Sequence, residues 1–238
     1  MICAVRKSPE LFLFTLSSNR QTWESFEVMR QAAHDGDSQA QCYLGVCFQN
    51  GQGVPQDYHE AVKWFHQAAE QGDSVAQCYL GVCYWLGQGV QQEFSEAARW
   101  LREAAEQGDP AAQFNLGTLY ETGQGVPQNY AEAIKWYREA AERGYPAAQF
   151  NLGVFFETGQ VVEQDFAEAV KWYLLAAEQE LADAQCNLGL CYQTGRGVPQ
   201  NTRQAVNWFI KAARQGHKTA QHNLGLHYAT IEAGQSQK

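Results

Sequence analysis

The chain has 238 residues, of which 45% are hydrophobic and 13% aromatic, a composition that excludes a disordered chain and supplies a packed core. A formal charge of -9, with 17 basic residues scattered among 26 acidic ones, sets it against general nucleic-acid binding, which needs clustered Lys and Arg to displace phosphate counterions. No apolar run approaches the roughly 18 residues that a membrane-spanning helix needs.

In chain order, the first feature is a short apolar stretch, Leu11 to Leu16, after Arg6 and Lys7. Glu10 directly precedes it, and Ser17-Ser18-Asn19 is a poor small-residue cleavage site. The stretch therefore reads as a degenerate first helix that caps the helices beyond it. A cleaved signal peptide is the alternative, and it would make the protein periplasmic or secreted. A lone helix is expected over about residues 21–35.

From residue 37 the chain repeats itself. Leu-Gly recurs at 44-45, 80-81, 116-117, 152-153, 188-189 and 224-225, Trp at 64, 100, 136, 172 and 208, and Ala-Ala at 68-69, 104-105, 140-141, 176-177 and 212-213. Three markers keep one 36-residue register without an insertion. A period of that size marks a helical repeat array.

The first unit shows what each copy does. Ala40, Leu44 and Phe48 fall at helical spacing and form one stripe of a first helix, A. Gly45 flanks that stripe and costs helix propensity, which a close approach of the partner helix would offset. Gly51, Gly53 and Pro55 end helix A, and Asp57 is suited to cap the start of a second helix, B. Ala61, Trp64, Phe65, Ala68 and Ala69 mark the apolar face of B, and Gly72 supplies a left-handed turn into the next copy.

One such pair cannot bury its own apolar face, so neighbours must stack into a shared core. The expected fold is an all-α solenoid of helix-turn-helix repeats. Its segments are an N-terminal cap with a half-repeat at 1–36, five repeats over 37–216, a C-terminal capping helix over 217–230 and a flexible tail at 231–238. The fourth copy departs from the pattern: Val161 replaces the second loop glycine, Glu163 replaces proline, and Glu180 stands where Gly72, Gly108 and Gly144 stand in earlier copies.

The pattern A-x-x-x-L-G-x-x-[YF]-x-x-G-x-G-V-P-Q-[DN]-[YF]-x-x-A-x-x-W-[YF]-x-x-A-A, over about residues 37–229, resembles the Sel-1-like repeat family, relatives of the tetratricopeptide repeats. The resemblance implies a right-handed superhelix with helix A on the concave side and helix B on the convex side. It also implies a scaffold or adaptor for protein complexes, and some bacterial members look like partners or antagonists of toxins. A disulfide-rich secreted branch of the family pairs positions that correspond here to Ala69 and Gln77, so that framework is absent.

Motifs for chemistry are missing. The chain has no H-E-x-x-H, no G-x-x-x-x-G-K-[ST], no G-x-S-x-G and no S-x-x-K, and the glycine-rich loops lack the Lys of a phosphate cradle and come after a helix. No catalytic residue, cofactor or metal is expected, and a hydrolase of unknown type is only a remote alternative. Six of the seven cysteines fall in pairs, Cys42 and Cys47, Cys78 and Cys83, Cys186 and Cys191. Five helical steps put the members of a pair about 140° apart, so they cannot share a metal or a disulfide. Cys47 is expected to approach Cys78, and Cys191 to approach His222, across repeat boundaries. Small buried hydrophobes are the expected role of these thiols, and free thiols favour the cytoplasm. His217, His222 and His227 do not make the three or four converging ligands of a zinc site.

On helix A, the side at i, i+4, i+7 and i+11 from Gln39 reads as the face opposite the core. It holds Tyr43, Tyr79 and Leu86 with Trp85 alongside, and further on Asn115, Asn151 and Asn187. Aromatics anchor protein interfaces and a row of amides can hydrogen-bond a peptide backbone. A second expected patch lies on helix B, where His66, Arg102 and Arg138 give way to Leu174 and Ile210, with Leu175 beside them. It would serve a partner or weak self-association, or else be locally repacked. The expected function is a non-enzymatic adaptor for a protein or peptide, with a bacterial immunity-type protein that neutralises a toxin as the alternative.

Overall fold

The computed structural model describes residues 25–235, with side chains to Ala229. Among these residues there are twelve α-helices and no strand: α1 (Phe26–His34), α2 (Ser38–Asn50), α3 (Tyr58–Glu70), α4 (Ser74–Leu86), α5 (Phe94–Glu106), α6 (Pro110–Thr122), α7 (Tyr130–Glu142), α8 (Pro146–Thr158), α9 (Phe166–Glu178), α10 (Ala182–Thr194), α11 (Thr202–Arg214) and α12 (Lys218–Gln235). Even-numbered helices are A and odd-numbered ones B. The segment Leu11–Leu16 and Cys3 lie outside the described residues.

Local chemistry sets the helix ends. The Asp57 carboxylate accepts from the backbone N–H groups of His59 and Glu60, and Asn129 and Asp165 do the same two and three copies on. Helix A has its own cap, which the repeat pattern does not signal. Asp37, Asp73 and Asp109 accept from Ala40, Ala76 and Ala112 at 2.7–2.8 Å. At the same position before α12, His217 Nδ1 accepts from the Ala220 N–H at 3.2 Å while Nε2 lies 3.0 Å from Asp183 Oδ1.

The described residues divide into two compact units, one up to Trp136 and one from Tyr137. In the first, α4 packs on both α3 and α5. Phe65 is fully buried against α2 and stacks on Tyr79 of α4 at 4.9 Å, and Leu101 fills the equivalent place one copy on. In the second unit, Phe150, Tyr173, Leu188 and Cys191 share one core cluster, and Cys186, Phe209, Ala212 and Ala220 the next. The close approach expected at Gly45 is present: a Cβ there would stand 2.6 Å from the Phe65 ring.

A repeated glutamine also ties copies together. Gln77 Nε2 donates to the Ala69 carbonyl at 3.2 Å, and its Oε1 accepts from Gln107 Nε2 at 2.7 Å. The same pair of bonds joins Gln41 to Ala33 and Gln71, Gln149 to Ala141 and Gln179, and Gln185 to Ala177 and Gln215. Each glutamine thus gives a second donor to a carbonyl at the end of the preceding helix B, which otherwise accepts only from the turn that follows.

The cysteines are oriented otherwise than expected. Cys42 lies in the forward cluster with Ala76 and Cys83, whereas Cys47 lies back against Met29 and Ala33 of α1. Cys78 faces forward to Ala112 and Leu116. The expected approach of Cys47 to Cys78 is therefore wrong, and so is that of Cys191 to His222. Cys191 faces back to Phe150, and Cys186 packs with Ala220 and Leu224. Helical spacing gives the angle between two side chains but not which of them points to the next repeat.

The fourth copy keeps its turn without glycine. Glu180 has φ 66°, the one positive φ at a non-glycine among the described residues. Glu180 N–H donates to Ala177 O at 3.1 Å and Leu181 N–H to Ala176 O at 3.2 Å, as Gly72 and Asp73 do to Ala69 and Ala68. The altered sequence leaves the turn unchanged, and the residue carries the strain. Glu180→Gly should therefore raise stability by about 1 kcal/mol, read as a higher urea midpoint at unchanged slope. No change in midpoint would mean the left-handed conformation costs nothing here.

Candidate protein-binding face

The face expected to be open on helix A is mostly closed. In the first unit Val46, Tyr79, Val82, Trp85 and Asn115 are buried. Trp85 Nε1 donates to Gln124 Oε1 at 3.0 Å, and Tyr43 is half-buried against the cluster of Met29, Leu44 and Cys47. In the second unit Asn151 and Asn187 are buried, Asn187 at 2% exposure. The reason is that an A helix meets a B helix on each flank, so the stripe opposite one B is covered by the other. Asn115, Asn151 and Asn187 each have an Oδ1 that is shielded from solvent and makes no hydrogen bond. A row of amides available to a peptide backbone is thus not what the fold presents.

The ends of this stripe behave differently. Thr122, Thr158 and Thr194 turn their hydroxyls back to the carbonyls of Thr118, Val154 and Leu190, at 2.8–2.9 Å. Leu86, at the same position of α4, is 37% exposed just before the left-handed cap at Gly87. On helix B, Leu174 is half-buried and packs on the core cluster that includes the half-buried Trp208, much as His66, at the equivalent position of α3, lies edge-on to Trp100 at 5.8 Å. Ile210 is half-buried as well. The expected Leu174–Ile210 strip is largely drawn inward, and Leu175, at 45%, is the exposed residue of that group.

Acid-base or metal chemistry finds little footing. Among the described residues no three His, Cys, Asp or Glu side chains converge on a metal-sized site. A groove between α5 and Gly125-Val126 is lined by Arg99, Arg102, Glu103 and Glu106. Arg99 is held there by Glu96 at 2.7 Å and Glu103 at 3.2 Å, and Arg102 donates to the Tyr120 hydroxyl at 2.8 Å. Buried Tyr173 donates to Glu157 Oε2 at 2.6 Å, and burial together with the Glu157 charge holds its hydroxyl far above the usual range.

The thiols are equally shielded. Cys42, Cys47, Cys78, Cys83, Cys186 and Cys191 are buried. Burial pushes Cys83 and Cys191 up to about 12 and raises Cys78 and Cys47. These six should label with a thiol reagent only slowly at neutral pH and quickly once denaturant is added, because the thiolate is the nucleophile. Fast labelling of all six in the folded protein would show the repeats to be open.

Stacked helix pairs with a common core and exposed positions that differ from copy to copy define a helical-repeat solenoid. The Sel1 repeat profile matches residues 38–73, 74–109, 110–145, 146–181 and 182–217, and the chain belongs to the Sel1 repeat family. A protective antigen of uropathogenic Escherichia coli with an SLR fold is 37% identical, with a TM-score of 0.79 over 87% of this chain and 45% of that one. A Sel1 repeat protein from Oxalobacter formigenes is also 37% identical, with a TM-score of 0.79 over 84% of this chain and 58% of that one. The chain thus spans about half the length of these two structures. An immunity protein from Pseudomonas aeruginosa, 19% identical with a TM-score of 0.55 over 79% of this chain and 72% of that one, shares the fold. No curated protein matches the chain. Sel1 repeat proteins in general mediate protein–protein interactions as non-enzymatic scaffolds. Among the described residues no helix is long and apolar enough to cross a membrane.

Proposed function

We propose that the chain is a non-enzymatic adaptor that holds a protein or peptide against the helix-A side of the unit before Tyr137. The observation that carries this reading is Leu86. It is an exposed leucine at a position that is Asn50, Thr122, Thr158 and Thr194 in other copies, on a frame that repeats its Leu-Gly and Ala-Ala positions in every copy. A framework that repeats its core and varies its surface suits recognition, and an apolar anchor is what a partner would cover. Tyr43, half-buried on α2, adds aromatic surface. Tyr79, Trp85 and Asn115 act from beneath, by fixing the helices that carry the exposed positions, while Asn151 and Asn187 are buried in the other unit and take no part in this face.

The test is parallel affinity capture with the wild type and Leu86→Glu from the native cell, followed by quantitative mass spectrometry. The reading expects at least a tenfold loss of one or more partners at unchanged helicity, about 1.4 kcal/mol or more for one buried apolar anchor. A single stoichiometric partner lost would make the protein an immunity-type antagonist, and several would make it a scaffold. Full retention of every partner by Leu86→Glu would remove this face from consideration.

A further inference from the structure

The caps of the A helices are carboxylates in the first three copies and an imidazole before α12. Asp37, Asp73 and Asp109 each accept the N–H three residues on, a donor that has no partner within its own helix. Tyr145 and Leu181 make no side-chain bond of this kind. His217 restores it with Nδ1, which lies 3.2 Å from the Ala220 nitrogen. Histidine ordinarily titrates between about pH 5 and pH 8, where carboxylates stay ionised, so this cap changes state under conditions that leave the aspartate caps as they are.

Two bonds assign the protons on the ring. The Ala220 N–H is a donor, so Nδ1 carries the lone pair that receives it. The ring proton is then on Nε2, which donates to Asp183 Oδ1 of α10 at 3.0 Å. The His217 side chain is 12% exposed, and these partners hold its orientation. A second proton enters only at Nδ1. There it turns the acceptor into a donor that confronts another donor, beside the positive end of the α12 dipole. The contact with Asp183 survives as an ion pair and keeps the ring in place. The other charged groups adjoining it are cationic and exposed, Arg214 in the last turn of α11 and Lys218 at the first position of α12.

We propose that His217 is a proton-operated cap, which secures the start of α12 while its imidazole is neutral and releases it when the ring gains a proton. The effect reaches the core directly. Ala220, whose N–H is released, is fully buried in the cluster with Cys186, Phe209 and Ala212, and it anchors the first turn of α12 there.

Amide hydrogen exchange of the full chain by NMR, combined with nitrogen spectra of the histidine rings, tests this at about pH 8 and about pH 5. At the higher pH the His217 signals should show a proton on Nε2 and none on Nδ1. After correction for intrinsic rates, the Ala220 amide is expected to lose roughly five- to tenfold of its protection at the lower pH, the range that a helix cap supplies. Ala76, capped by the Asp73 carboxylate, should keep its protection. In His217→Asp the Ala220 amide should be protected alike at both pH values. A proton on Nδ1 at the higher pH would overturn the proposal. So would equal protection of Ala220 at both pH values in the wild type, or the same loss in His217→Asp.

Discussion

Gly153→Ala is expected to destabilise the protein by about 2–3 kcal/mol, although alanine is the better helix former by about 1 kcal/mol. The added methyl would lie 2.4 Å from Tyr173 Cε1 and 2.5 Å from Cδ1. That ring has nowhere to go, being fully buried with its hydroxyl held by Glu157 at 2.6 Å. The helices α8 and α9 must therefore separate, and the loss spreads to the packing of Phe150 and Leu188. Gly225→Ala is the internal control. With nothing within 4 Å of its Cβ, only the helix-propensity gain remains, and stability should rise by up to about 1 kcal/mol. Urea unfolding followed by circular dichroism reads both, and equal signs for the two alanines would mean that the close approach at this glycine does not constrain the fold.

Gln77→Leu is expected to cost about 1–3 kcal/mol. Leucine is shorter than glutamine and branches one carbon earlier, but it would keep apolar packing at the position. It would remove the side-chain donor of the Ala69 carbonyl, which keeps the Gly72 N–H at 3.0 Å, and would leave the Gln107 amide only its longer bond to the Glu103 carbonyl at 3.4 Å. Since Gln77 is buried, water cannot replace the first of these bonds without a local opening. Hydrogen exchange of the amides at the end of α3 should accelerate together with the fall in urea midpoint. A neutral Gln77→Leu would show that burial of the stem, and not the two bonds, is what the position supplies.

Much of this architecture is legible from the residues. The helix pair, the left-handed turns at Gly51 and Gly72, the cap at Asp57 and the close approach at Gly45 all arise from chemistry within one copy or between its two helices. The features that elude the residues depend on stacking. A helical wheel separates Cys42 from Cys47 by angle, yet only the packed array reveals that Cys42 faces forward and Cys47 back. The same lack of direction makes Tyr79 and Asn187 look open, since they occupy the side away from one helix B and are covered by its neighbour. The glutamines are hard to read although Ala-Gln recurs at 40-41, 76-77, 112-113, 148-149, 184-185 and 220-221, because a polar residue in an apolar stripe resembles an edge of the face.

Those glutamines also account for the constancy of repeat length. Gln41 reaches back to Ala33 and is met by Gln71. Inserting one residue into the helices between these anchors would rotate everything beyond it by about 100° and move it about 1.5 Å along the axis. Apolar side chains could repack after such a slip, since contact among methyl groups has little directional demand. Two amide bonds could not, because a hydrogen bond weakens steeply outside its narrow range of angle and distance. The copies are therefore counted off by a polar gauge set into a greasy stack, and a length change in one copy is penalised at both of its boundaries.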